Sequence, residues 1–229
     1  MAAKKLKRKD VIKQEDGFIT FLNSSLTFIT DNKKQVIIAA GIFITLIVGI
    51  YGFNIYLEKK ENQAFVMLEE VKKTYIETLK TKGFKEGYKA SQKNFEQLFK
   101  KFPNSVSAKV GLTIYGNVAY FAEDYEKAVS IFQKALDSLE PDSLYKNILL
   151  SNMAYSNLMI KKKKKAMDYF KKISANKSPI MKDSAFLNLG IFYANKGELT
   201  KSREWFQKGA LVKDSMFSTM INENSGLIN

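Results

Sequence analysis

The chain has no cysteine and no histidine, and its 229 residues include only three prolines and one tryptophan. Arginine is almost missing too: Arg8 and Arg203 are the only two. Each scarcity excludes something. Without Cys or His there is no Cys/His zinc site, no thiolate nucleophile, no Ser-His-Asp triad and no imidazole acid–base pair. No disulfide can form, so cysteine usage carries no information about compartment. The lack of arginine matters because the chain is basic, with 37 Lys+Arg against 23 Asp+Glu and a formal net charge of +14. Bidentate recognition of bases and phosphates is mostly arginine work. A surplus made of lysine reads as solvated helix surface, and no nucleic-acid partner is expected. Nothing in the sequence places paired carboxylates or a Ser–Lys pair convergently. The chain is therefore read as non-enzymatic, with no catalytic residue, no metal and no cofactor expected.

What is present begins with an apolar run. Val36 to Leu57 reads VIIAAGIFITLIVGIYGFNIYL, 22 residues without a charge. At about 1.5 Å per helical residue such a run reaches roughly 33 Å, against a bilayer core of about 30 Å. Lys33 and Lys34 flank one end and Glu58, Lys59 and Lys60 the other, with Tyr51 and Tyr56 where an interfacial aromatic belt would lie. The preceding polar stretch is too long for a signal-peptide n-region, and no small-x-small cleavage site follows. Segment 35–57 is therefore expected to be an uncleaved transmembrane signal anchor. Eight cations precede it, which predicts a cytoplasmic N-terminus and a C-terminal domain outside, in the periplasm of a bacterial inner membrane. Gly41, Thr45 and Gly49 form a small-xxx-small row that could let another helix approach closely.

Residues 1–17 are basic and polar and are expected to be disordered. Residues 18–34 read as a juxtamembrane amphipathic helix. Phe18, Phe21, Leu22, Ser25 and Ile29 recur at helical spacing, and Ile19, Leu26 and Phe28 widen the apolar side. Two readings stay open: a helix lying at the inner leaflet with Lys33 and Lys34 near anionic headgroups, or a short helix leading into the span.

After the span, residues 58–83 read as a connecting helix, with Phe65, Leu68, Lys72 and Ile76 at helical spacing. Residues 84–211 then repeat. Pro103, Pro141 and Pro179 are 38 and 38 apart. GNVAYFAEDYEKAVSIFQKAL (Gly116–Leu136) aligns with GIFYANKGELTKSREWFQKGAL (Gly190–Leu211). In both, a glycine precedes a small residue (Ala128, Ser202), and a Phe follows one turn later (Phe132, Phe206). A middle copy runs through Ala154, Ala166 and Phe170, and an earlier one keeps only its second helix, at Ser91, Phe95 and Leu98. Asn104-Ser105, Asp142-Ser143 and Ser178-Pro179 are expected helix N-caps. Residues 212–229 read as a C-terminal cap and tail.

This spacing resembles the tetratricopeptide repeat, in an expanded form whose period exceeds the family's of about 34 residues and which lacks its first-position Trp. The resemblance implies a solenoid of helical hairpins, so with the apolar run the expected fold is all-α: a single N-terminal transmembrane helix followed by a tetratricopeptide-like helical-hairpin solenoid. First helices of such hairpins line a concave face. The register places Thr113, Asn117, Tyr120 and Phe121 there, then Ser151, Asn152, Tyr155 and Met159, then Leu187, Asn188, Ile191 and Asn195. Asparagines in such a groove could hydrogen-bond an extended peptide, with Tyr and Met giving adaptable apolar contact. A family variant grips a peptide carboxylate with Asn and basic groups. Asn117 and Asn152 match its two Asn, but Thr113, Ser184 and Asn188 stand where cations would be needed, so that specificity is not carried over.

The layout of basic leader, single span and small repeat domain is similar to the bacterial ancillary SecYEG translocon subunit family. That resemblance implies partners among the Sec translocon, periplasmic chaperones and exported client chains. The alternative is a membrane-tethered repeat scaffold for a cell-wall or division complex. The small row in the span and the helix at 62–79 leave room for a homo-oligomer.

Overall fold

The computed structural model describes residues 8–140 and 143–226. Its elements are α1 (Arg8–Asp31), α2 (Lys33–Lys82), α3 (Phe84–Lys101), α4 (Val106–Phe121), α5 (Tyr125–Asp137), α6 (Lys146–Met159), α7 (Lys163–Ala175), α8 (Lys182–Asn195), α9 (Leu199–Ala210) and α10 (Ser218–Gly226). The described residues contain no strand. The chain divides into two units, Met1–Glu58 and Lys59–Asn229.

In the first unit, α1 begins at Arg8, inside the leader expected to be disordered; residues 1–7 lie outside the described residues. Arg8 to Gln14 contain no glycine or proline, and the helix runs through the single Gly17 to join the apolar segment. Backbone bonds bridge the single residue between α1 and α2. Asn32 N donates to Phe28 O and Val36 N donates to Asn32 O, both at 3.0 Å, while Asn32 Nδ2 also reaches Phe28 O. The start of α2 carries the apolar run. By length and composition it could cross a membrane, and none of its most apolar stretch is buried. Thr45 Oγ1 donates to Gly41 O at 2.8 Å, so the hydroxyl of the small row is satisfied within its own helix.

The second unit is a series of antiparallel hairpins, and the repeat positions explain its core. The four small positions Ser91, Ala128, Ala166 and Ser202 are all 0 % exposed. So are Phe95, Phe132 and Phe170, and Phe206 is 1 % exposed. The glycines let the two helices of a hairpin close on these rings. A Cβ at Gly116 would stand 2.6 Å from Cδ1 of Phe132, and one at Gly190 would stand 2.6 Å from Cδ1 of Phe206. Ser202 Oγ donates to Gly190 O at 2.8 Å, fixing the same crossing by a hydrogen bond.

The earliest copy is more complete than its sequence shows. Ala64, Leu68 and Val71 of α2 are buried in one cluster with Phe95, Leu98 and Tyr115. The connecting helix thus supplies the first helix of that hairpin. Size is inverted here, because large Tyr75 packs on Gly87, where a Cβ would lie 3.1 Å from the ring. Glu61 ties this helix to the next hairpin. Its carboxylate accepts from Val106 N and Ser107 N, both at 2.8 Å, and from Ser107 Oγ at 2.6 Å. It therefore caps the exposed amides at the start of α4. Burial pushes the Glu61 carboxyl up, but these three hydrogen bonds outweigh it and hold the group below the usual carboxylate range.

Three hairpin turns share one closure. Glu123, Lys161 and Gly197 have φ of 68°, 60° and 75°, in the left-handed region. The next amides, of Asp124, Lys162 and Glu198, donate back to Ala119, Asn157 and Tyr193 at 2.8–2.9 Å. This is the Schellman ending, which satisfies carbonyls that a helix terminus otherwise leaves open.

The expected N-caps hold in part. Ser105 Oγ accepts from Ala108 N and caps α4. Asp142 lies outside the described residues. Ser143 and Ser178 instead accept from amides two residues on, those of Tyr145 and Ile180, and α6 and α8 start later without a side-chain cap. Asn147, 1 % exposed, holds the second of these entries, donating to the carbonyls of Ser178 and Ile180 and accepting from Asn176. At the C-terminal end, Ile221 of α10 is buried with Leu187 and Phe206, close to Gly209.

Candidate functional site

The first helices α4 and α6 run side by side against α5, and a pocket of about 160 Å³ opens between them. Its lining is Asn117, Tyr120 and Phe121 from α4, Phe132 from α5, and Asn152 and Tyr155 from α6. Five of these six are among the residues the repeat register assigns to the groove. Phe132 is the addition. Its ring reaches the floor because Gly116, directly before Asn117, leaves room for it. The signal was present in the sequence as the Gly116–Phe132 pairing, but it read only as packing.

The lining carries no charge. Asn152 Nδ2 donates to Asn117 Oδ1 at 3.2 Å, linking the two helices across the pocket. This leaves the Asn117 amide hydrogens and the Asn152 carbonyl oxygen for a ligand. Tyr120 lies edge-on to Phe121 and to Tyr125, with centroids 5.7 and 5.3 Å apart. Burial raises the Tyr120 phenol above its ordinary value, so it remains a neutral donor. Phe121 is 55 % exposed and stacks on Phe84 of the preceding hairpin at 5.5 Å.

The polar row continues toward α8. Tyr155 OH shares a 2.7 Å hydrogen bond with Ser184 Oγ. Asn188 Nδ2 donates to Tyr155 OH at 3.1 Å and to Ser184 O at 2.8 Å. Asn188 is therefore a brace for Tyr155 more than a free groove amide. The same bonds occupy Ser184, 1 % exposed, at a position where a carboxylate-gripping variant would need a cation.

The other register positions lie apart from the pocket. Ser151 and Leu187 are 0 % and 3 % exposed and belong to the core, which corrects their placement on the groove face. Ile191 packs against the Leu187, Phe206 and Ile221 cluster. Thr113 is half-buried one turn before Asn117, while Met159 and Asn195 are exposed near the ends of α6 and α8. Gly41, Thr45 and Gly49 belong to the first unit, and a Cβ at either glycine would meet nothing within 4 Å.

A family model described as a tetratricopeptide repeat-like domain matches residues 27–219. The chain belongs to the tetratricopeptide repeat-like domain family. Two crystal structures of MamA share the fold at 18 % identity and TM-score 0.50. One match covers 66 % of this chain and 80 % of that one, the other 71 % and 84 %. No curated protein matches the chain. A tetratricopeptide repeat-like fold is that of a protein-interaction scaffold.

Proposed function

We propose that the chain is a membrane-anchored protein-binding module that takes extended, uncharged peptide segments in the pocket between α4 and α6. The observation that carries this is the lining: two asparagines joined across the pocket, two tyrosines, an exposed phenylalanine and an apolar floor, with no charge among them. Backbone amides of a peptide match the free asparagine groups, and an aliphatic or aromatic side chain matches a cavity of about 160 Å³. The apolar start of α2 supports the anchor, and the cations that precede it favour a C-terminal domain outside.

In this reading the natural ligands are newly exported chains or periplasmic chaperones, and the anchor keeps the module beside the Sec translocon. Photo-crosslinkers at Phe121 and Asn152 in native membranes, with a control at exposed Lys134, test it. Recovery of a Sec channel subunit, a periplasmic folding factor or an unfolded exported chain from 121 and 152 alone is the expected result. Equal yields from 134, or recovery of cell-wall or division proteins instead, would overturn the Sec assignment. The latter result would favour an envelope scaffold. Protease protection in spheroplasts tests the topology: the domain beyond residue 58 should be digested from outside.

A further inference from the structure

α1 is a helix with two faces. On a helical projection Phe18, Phe21, Leu22, Leu26, Phe28 and Ile29 fall on one half of the circumference, with Ile19 at its edge and Ser25 as the one polar intrusion. All seven apolar side chains are between 43 % and 69 % exposed. The other half holds Thr20, Asn23, Ser24, Thr27, Thr30 and Asp31. From Phe18 to Asp31 there is one charge, and it is negative. The cations lie outside this stretch, at Arg8, Lys9 and Lys13 before it and Lys33 and Lys34 after it.

The reach to the apolar run is short. From Ile29 to Val36 is seven residues, about 10 Å of helical rise, and backbone bonds continue across the Asn32 junction. Headgroup layers add roughly 5–7 Å on each side of the hydrocarbon core. If the run crosses a bilayer, the end of the apolar half therefore stands at the bilayer surface. That places the bilayer surface beside the uncovered face, with acyl chains within reach once α1 turns at the Asn32 junction.

The polar half says what kind of surface it is. A helix that binds by lipid charge carries Lys or Arg along its polar face. Between Phe18 and Asp31 that face is hydroxyl and amide with one carboxylate and no cation, so attraction along this stretch comes from inserting large apolar side chains where headgroups leave gaps. We propose that α1 lies in the bilayer interface with its Phe18–Ile29 half among the acyl chains, recognising loose lipid packing rather than lipid charge. The proposal rests on the anchor reading of the apolar run.

The absence of cysteine makes the test clean. Single-cysteine variants of the full chain (F18C, L22C, S24C, T27C) carry an environment-sensitive dye in proteoliposomes, with I44C and I47C as controls in the run. The expected result is dye at 18 and 22 several-fold less accessible to iodide than dye at 24 and 27. This difference should be the same in phosphatidylcholine and phosphatidylglycerol and should shrink in tightly packed saturated bilayers. Equal accessibility at all four positions, or shielding that needs phosphatidylglycerol, overturns the proposal. Shielding that persists in dilute detergent together with interchain crosslinks overturns it in favour of a second copy as the occupant. Iodide access at 44 and 47 would instead sink the anchor reading, and with it the basis of this one. Shielded 44 and 47 with open 18 and 22 would refute the interfacial helix alone.

Discussion

The Cα of Gly190 faces the ring of Phe206 so closely that a side chain at 190 would begin 2.6 Å from Cδ1. The ring is 1 % exposed and is hemmed in by the crossing of α8 and α9, so it has little room to retreat. Gly190→Ala is expected to destabilise the repeat unit by about 2 kcal/mol, the range of core overpacking. Urea unfolding followed by circular dichroism checks it; an unchanged midpoint would refute the close contact. Gly116→Ala should act alike through Phe132, and should also displace the pocket floor.

Lys161 occupies the left-handed backbone position that Gly197 fills in the next hairpin. A side chain there carries a steric penalty of roughly 1–2 kcal/mol that glycine avoids. Lys161→Gly is expected to raise stability by up to about 1 kcal/mol, since glycine also gains freedom when unfolded. Gly197→Ala should lower it by a similar amount. Opposite shifts in thermal midpoint are the readout, and equal signs would contradict the shared turn geometry.

Glu61 caps α4 with three hydrogen bonds while its carboxyl is held below the usual range. A carboxylate whose folded value is depressed adds stability that is present above its unfolded pKa. That stability is lost as pH falls through the folded one. Glu61→Ala is expected to cost about 1 kcal/mol at neutral pH. The gap to the parent chain should close as the pH drops through and below the ordinary carboxylate range. A gap that stays constant on acidification would exclude the ionised cap.

Asn117 and Asn152 offer amide groups without shaping the core. Replacing both by Leu is expected to leave the unfolding midpoint nearly unchanged. Crosslinking yield from Phe121 should fall about tenfold, as befits two lost hydrogen bonds of roughly 0.5–1.5 kcal/mol each. Full crosslinking in the double variant would show that the partner is held elsewhere.

The sequence revealed what depends on size at fixed spacing. Small residues at 91, 128, 166 and 202 and phenylalanines at 95, 132, 170 and 206 stood out because helix crossings tolerate only small side chains there, and all eight are buried. The groove was half legible. Register found Asn117, Tyr120, Phe121, Asn152 and Tyr155, which meet in one pocket. Register alone could not separate Ile191, which the last helix draws into packing, or Ser151 and Leu187, which point inward. The Glu61 cap was invisible because its partners are 45 and 46 residues away and meet only once the hairpins stack. The caps at 143 and 178 were misplaced for a different reason. A serine can bond an amide two residues on as readily as it can start a helix, and local sequence does not say which it does.

Ile221, the one buried residue of α10, rests against Gly209 beside Phe206. Ile221, with the partly buried Phe217 packed on the same cluster, covers the last repeat phenylalanine, Phe206. Stability in stacked repeats is a sum of neighbour terms, and α8–α9 has a full hairpin on one side and only the short α10 with Phe217 on the other. The molecule acquires a polarity from this: α8–α9 is expected to exchange its amides earlier than α4–α5 and α6–α7. The pocket between α4 and α6 is coupled to that end, because Tyr155 in its lining is held by Ser184 and Asn188 of α8.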